Sequence, residues 1–156
     1  MLERRYHIHV SSTAERLRSI GPVIPGAWAR HDDELQREIR GDFLLDTGAY
    51  GAMIDLAVAE ALQLRPLGAK QIHGIHGYGT LQRYCAKLIL PATAASGTAG
   101  LFEQVMECVA VPSLREKSSE QNADIVGILG RLFLQNAHLE IDGSSGRLVL
   151  QIGRFG

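Results

Sequence analysis

The sequence predicts a mostly β domain with two or three short helices. Two long alternating runs, Leu81 to Leu90 and Leu101 to Val111, are rich in residues that suit a pleated, half-buried surface. A second signal lies near the C-terminus, where His138 to Ile141 and Arg147 to Leu150 alternate around the turn Asp142-Gly143-Ser144-Ser145-Gly146. Glycine and proline punctuate most of the remaining connections. With 156 residues, 46% of them hydrophobic, the chain fits one domain, 1–156. A chain of this length buries roughly 70% of its unfolded surface, so a core forms without help from metal or disulfides. No repeat of 20 to 50 residues is present, which excludes solenoids and propellers.

The elements follow in order. Tyr6 to Val10 alternates as a strand, and Ser12-Thr13 offers a cap for a short helix over Ala14 to Ile20. Gly21-Pro22 and Pro25-Gly26 read as turns, and charged His31 to Arg40 as an exposed loop or strand approach. Residues 1–40 therefore form an N-terminal extension and approach. Asp42-Phe43-Leu44-Leu45 climbs into an apolar strand that stops at the tight turn Asp46-Thr47-Gly48-Ala49. Met53-Ile54 resumes a strand, and Asp55 caps a helix through Leu56, Val58, Ala59 and Leu62. Between Lys70 and Thr80, glycines at every second or third place predict a mobile hairpin tip. The two long runs then pair across a small-residue loop, Pro91 to Gly100. After a polar loop from Ser113 to Asn122, Ile125 to Leu129 forms a buried strand ending at Gly130-Arg131, before a short helix near Leu132 to Leu134. Residues 41–134 thus hold the motif-bearing core, and 135–156 a C-terminal hairpin and possible dimer strand.

Composition removes several classes of function. Sixteen basic against seventeen acidic residues leave a formal charge of −1, with no basic run to track a phosphate backbone, so nucleic acid is not expected as a partner. No segment approaches the ~18 apolar residues of a membrane helix, and no apolar stretch follows Met1 to His7, so no membrane partner and a cytoplasmic location are expected. Cys85 and Cys108 lack C-x-x-C spacing and read as buried thiols.

Asp46, at the mouth of an apolar strand, is a costly place for a charge, and this invites a functional reading. The segments Phe43-Leu44-Leu45-Asp46-Thr47-Gly48-Ala49 and Ile125-Val126-Gly127-Ile128-Leu129-Gly130-Arg131, about 80 residues apart, resemble the paired signatures of the retropepsin-like aspartic proteases. The glycine-rich Ile72 to Gly79 stretch sits where the flap of that family lies. More narrowly, with its closing Asp-Gly-x-x-Gly turn, the chain resembles the small bacterial Asp-Thr-Gly-Ala proteins. The resemblance implies a single-lobed closed β-barrel with one or two short helices.

It also implies a hydrolase: an aspartic endopeptidase acting on extended peptide or protein segments, without a cofactor. That chemistry needs two carboxylates sharing one water, one a general base and the other, protonated, a donor to the scissile carbonyl. This chain offers one such aspartate, so Asp46 of a second copy completes the pair in a C2 homodimer. By resemblance Thr47 bridges the axis, Gly48 leaves room for substrate backbone, and Ala49 completes the loop. Ile72, Gly74, Ile75, Gly77 and Tyr78 are the flap and substrate candidates, and Gly130 and Arg131 form a structural motif. Terminal strands interleave across the dimer in viral relatives, which assigns that task to Leu148-Val149-Leu150 and the tail with Ile152 and Phe155.

Two departures stand out. Tyr50 and Gly51 occupy the place of an acidic partner for the late arginine, and Leu132 that of an Asn or Asp. Arg131 must then find another acid, such as Asp55 or Asp124, or lie more exposed. His73 with His76, and His7 with His9, lack the companions of a metal site, and none is expected. A catalytically inactive retropepsin-fold dimer that binds peptides or scaffolds a partner is the alternative function, and an unrelated ligand-binding barrel a third.

Overall fold

The computed structural model describes residues 5–35, 37–74 and 77–153. The protein is mostly β, built around a closed six-stranded barrel of mixed direction. Around the barrel run β2 (Val23–Ala29), β3 (Glu38–Leu45), β8 (Ile125–Leu129), β4 (Ala52–Asp55), β7 (Ala99–Val111) and β6 (Gly77–Ala94), and the β2–β6 pairing at Ala27–Ala29 closes the circle. Two of its ladders are parallel, β3 with β8 and β4 with β7; the others are antiparallel. β6 also pairs with β5 (Pro66–Gly74) as a hairpin that extends from the barrel. Beyond the barrel, β1 (Tyr6–Val10) joins β6 at Tyr6 and His7 and continues the sheet through β10 (Arg147–Ile152) to β9 (Ala137–Asp142).

Alternation decides which side chains fill the barrel. Trp28, Phe43, Ile54, Leu88, Leu90, Val126 and Leu129 are all fully buried and belong to one core cluster. Trp28 packs edge-on against Phe43 with centroids 5.1 Å apart, and its indole N–H donates to the Val126 carbonyl at 3.0 Å. That bond satisfies a donor that burial would otherwise leave costly. Gly127 is required beside them, since a Cβ there would lie 2.7 Å from both rings.

Among the described residues four short helices decorate the barrel, more than the one or two that the resemblance implies. α1 (Ala14–Ile20) starts at Thr13, whose hydroxyl accepts from the Arg16 N–H at 3.0 Å, the expected cap. α2 (Leu56–Ala61) is capped by Asp55 through the Val58 N–H at 3.2 Å, also as expected. α4 (Arg131–Leu134) follows Gly130. α3 (Leu114–Ser119) occupies part of the segment read as a polar loop. Its buried residue is Ser118, whose hydroxyl accepts from the Ile125 N–H at 2.9 Å; a helix held by polar contacts shows no apolar stripe.

Other boundaries also move. β2 was hidden by its Pro and Gly, yet Pro25 lies outside the stretch where β2 also pairs with β6, so its missing N–H is tolerated. The Pro91–Gly100 loop shrinks to residues 95–98, because β6 and β7 stay paired through Pro91↔Leu101 to Thr93↔Ala99. β10 corrects the interleaving expectation: its backbone pairs with β1 on one side and β9 on the other within the same chain. Leu148, Leu150 and Ile152 are buried there, and Phe155 lies outside the described residues. No helix among the described residues is long and apolar enough to cross a membrane.

Replacing Trp28 with Phe keeps a ring but strands the Val126 carbonyl and leaves a gap. Chemical denaturation is expected to show a loss of about 1–3 kcal/mol, and a change below measurement error would remove the indole bond from its central place.

Candidate active site

Asp46 follows directly on β3, and its N–H donates to the Leu129 carbonyl at 3.0 Å, extending the β3–β8 ladder by one bond. The turn after it closes on its own carboxylate: the Gly48 N–H donates to Asp46 Oδ1 at 2.8 Å, and the Ala49 N–H to the Asp46 carbonyl at 3.2 Å. This is the Asx-turn geometry that aspartate favours, and it fixes the carboxylate half-buried at the turn's mouth. Thr47 and Gly48 are exposed, while Ala49 is buried.

The turn is held from below by the second motif. The N–H groups of Arg131 and Leu132 donate to the carbonyls of Ala49 and Tyr50, each at 2.9 Å. These are first-turn donors of α4 that have no partner within the helix. The Arg131 guanidinium donates to the Thr47 carbonyl at 2.8 Å. Of the two alternatives for Arg131, exposure is therefore the outcome: it lies on the surface and fastens the turn through a carbonyl. Asp55 and Asp124 are committed elsewhere. Asp55, 1% exposed, accepts from the N–H groups of Val58 and Arg115, and Asp124 forms a two-pronged pair with the Arg115 side chain.

A groove of about 760 Å³ opens over this turn. Asp46 and Gly48 to Met53 line it together with Lys70 to His73 of β5, Glu107 to Val109 of β7, and Arg131 and Leu132 of α4. The structure thus brings Asp46, Gly48, Ala49, Ile72 and Arg131 to one cavity. Thr47 adjoins it, and Gly130 supports it. Gly74 and Gly77 pair at the far end of the β5–β6 hairpin and Tyr78 pairs with His73 in backbone register, while Ile75 and His76 lie outside the described residues. His7 and His9 stack with centroids 6.5 Å apart on β1, away from the groove lining.

Sequence reasoning missed several participants. Lys70 places its ammonium 5.9 Å from the Tyr50 ring centroid, a cation–π contact between the hairpin and the Asp46 loop. Arg83 holds the hairpin's root: it donates to the Leu67 carbonyl at 3.1 Å and the Gly68 carbonyl at 3.4 Å, and pairs with Glu107 at 3.1 Å. These contacts surround the register shift of β5, where Gly68 adopts a φ of +108°. Nothing in local sequence spacing announces them. Glu107 and Cys108, adjacent on β7, line the groove. Burial pushes the Cys108 thiol up to about 12, and burial followed by Glu107 raises that of the half-buried Cys85.

In comparisons with known protein families and with curated proteins, the chain matches none.

A methyl on Gly130 would fall 2.5 Å from the Ala49 carbonyl oxygen and 2.6 Å from that of Gly51, both backbone atoms that cannot swing away. Gly130→Ala should therefore cost about 1–3 kcal/mol or more, whereas Gly143→Ala, which meets open space, should leave the denaturation midpoint nearly unchanged. Cys108 gives a pH prediction. Its proton is held more tightly folded than unfolded, so stability is intact below the ordinary thiol value of 9.0 and declines as pH rises toward about 12. Denaturation across pH 8 to 11 should show a shallower decline for Cys108→Ala than for the parent; equal slopes would refute the thiol's part in it.

Proposed function

We propose that this chain is a retropepsin-like aspartic endopeptidase that works as a homodimer, with Asp46 of each subunit at the two-fold axis. The observation that carries this reading is the position of the Asp46-Thr47-Gly48 turn: held by Gly130-Arg131 and facing a groove that one strand of a β hairpin also lines. The Asp46 carboxylate is fastened through one oxygen only, by the Gly48 N–H, among the hydrogen bonds of the described residues. A carboxylate so oriented is suited to a water.

In the proposed reaction one carboxylate takes a proton from the shared water as its oxygen attacks the peptide carbonyl carbon. The protonated partner donates to the carbonyl oxygen as charge develops there. Collapse of the tetrahedral intermediate breaks the C–N bond, and the leaving nitrogen takes up the proton. The substrate lies extended in the groove. Met53, Ile72, Val109 and Leu132 offer it apolar contacts, and the neighbouring β5 supplies backbone along which an extended segment can align. Tyr50 is 61% exposed and Leu132 46%, beside the Asp46 turn, an apolar rim consistent with cover by a second copy.

The test is cleavage of a diverse unstructured peptide library at high protein concentration across pH 4 to 7, with Asp46→Asn in parallel. Cleavage by the parent is expected to fall at least a thousandfold in the variant, while dimer affinity is kept. A parent that dimerises but cuts nothing would replace this reading with a peptide-binding or scaffolding dimer.

A further inference from the structure

We propose that Lys70 is a specificity-determining residue, selecting extended segments that carry an Asp or Glu side chain. The proposal deepens the protease reading by naming a class of substrate, and it rests on that reading for the groove as the place where the peptide lies.

Two carboxylates, Asp46 and Glu107, and two cations, Lys70 and Arg131, line the groove. Three of the four are engaged by the chain itself. Asp46 accepts from the Gly48 N–H and belongs to the proposed reaction. Glu107 is neutralised by Arg83 at 3.1 Å, and the Arg131 guanidinium is fastened to the Thr47 carbonyl at 2.8 Å. Lys70 differs from these. Its ammonium stands 5.9 Å from the Tyr50 ring centroid, and among the described residues it forms no ion pair with a carboxylate.

That arrangement suits recognition. Lysine ordinarily keeps a long, freely rotating stem, and ordering it is part of the cost of binding through it. Here the ring of Tyr50 already attracts the ammonium, so part of that ordering precedes the ligand. A ring offers attraction without a full counter-charge, which leaves the ammonium able to pair with an arriving carboxylate. Both Lys70 and Tyr50 are exposed, so the acid is not forced into a buried site, where desolvation would offset the attraction.

The strand supplies the rest of the subsite. Lys70 and Ile72 alternate onto one face of β5, and the contact with Tyr50 turns that face toward the Asp46 loop. A segment aligned along β5 therefore meets a cation and an apolar side chain two residues apart. Asp46 repels a carboxylate placed next to it, so the selected acid lies away from the two residues that flank the cut. The groove then favours a segment that is apolar at the reacting bond and acidic to one side of it.

The experiment measures charge preference with and without cleavage. The probes are fluorescent ten-residue peptides of small and apolar residues that carry one Glu or one Lys at each position in turn. Binding is read by anisotropy in the Asp46→Asn background, which keeps the peptides intact, with Lys70 native or changed to Met or Glu. Lys70 is exposed, and circular dichroism checks that each variant is folded. With Lys70 native, the best Glu peptide should bind about fivefold tighter than its Lys counterpart. Lys70→Met should abolish the preference and Lys70→Glu should reverse it, a reversal that a merely structural lysine does not produce. Failure of either peptide to bind overturns the proposal, as does equal binding of the two or a preference that survives Lys70→Glu. Charge-selective binding with no cleavage by the parent would sink the protease reading alone. Cleavage by the parent with no enrichment of Asp or Glu near the cuts would sink the Lys70 subsite alone.

Discussion

The junction at Gly130 is the constraint on which the site depends. A strand and a helix meet there, and the first N–H groups of a four-residue helix need acceptors that the helix cannot supply. The Ala49 and Tyr50 carbonyls, left open at the end of a tight turn, need donors. Each segment satisfies the other, and only a residue without a side chain lets them approach this closely. The carboxylate of Asp46 inherits its position from this exchange, because its turn has little packing of its own: Thr47, Gly48 and Tyr50 are all exposed.

Closure of the barrel supplies the rigidity behind the junction. β3 and β8, the strands that deliver Asp46 and Gly130, run parallel and adjacent, so both end at the same side of the barrel. Their shared core, with Trp28 and Phe43 in contact and Gly127 between them, fixes the strands' relative height. The asymmetry between core and rim is deliberate in energetic terms. Dispersion and burial hold the barrel, while a handful of backbone bonds hold the turn.

Most of this plan was legible where local pattern and tertiary demand agree. The alternation of Leu81 to Leu90, the caps at Thr13 and Asp55, and the turn at Asp46 are local signals, and each is found where its chemistry puts it. Legibility fails where long-range contact overrides local preference. β2 carries Pro25 and Gly26, which read as a turn, yet Trp28 and Ala29 are too apolar to remain outside the barrel they close. α3 carries no apolar stripe and is held by Ser118 and the Arg115 N–H to Asp55 bond, which spans sixty residues of chain. The site divides the same way. Asp46, Gly48 and Gly130 announce themselves by motif, whereas Lys70, Arg83 and Glu107 join through cross-strand register that only the folded sheet defines.

The continuity of β6 has a mechanical consequence. This single strand of 18 residues belongs in turn to the β5–β6 hairpin beside the groove, to the barrel wall, and to the sheet that reaches β1. At about 3.3 Å per residue it forms a beam of up to roughly 60 Å along its contour. A beam clamped by barrel neighbours along its middle does not swing as a whole, so displacement of the hairpin concentrates where its other strand is weakest. That place is the irregular root of β5 at Gly68, and the Arg83 guanidinium grips two carbonyls there while leaning on Glu107. Arg83 therefore acts as a brace that ties the irregular root of the hairpin to the barrel strand beside it.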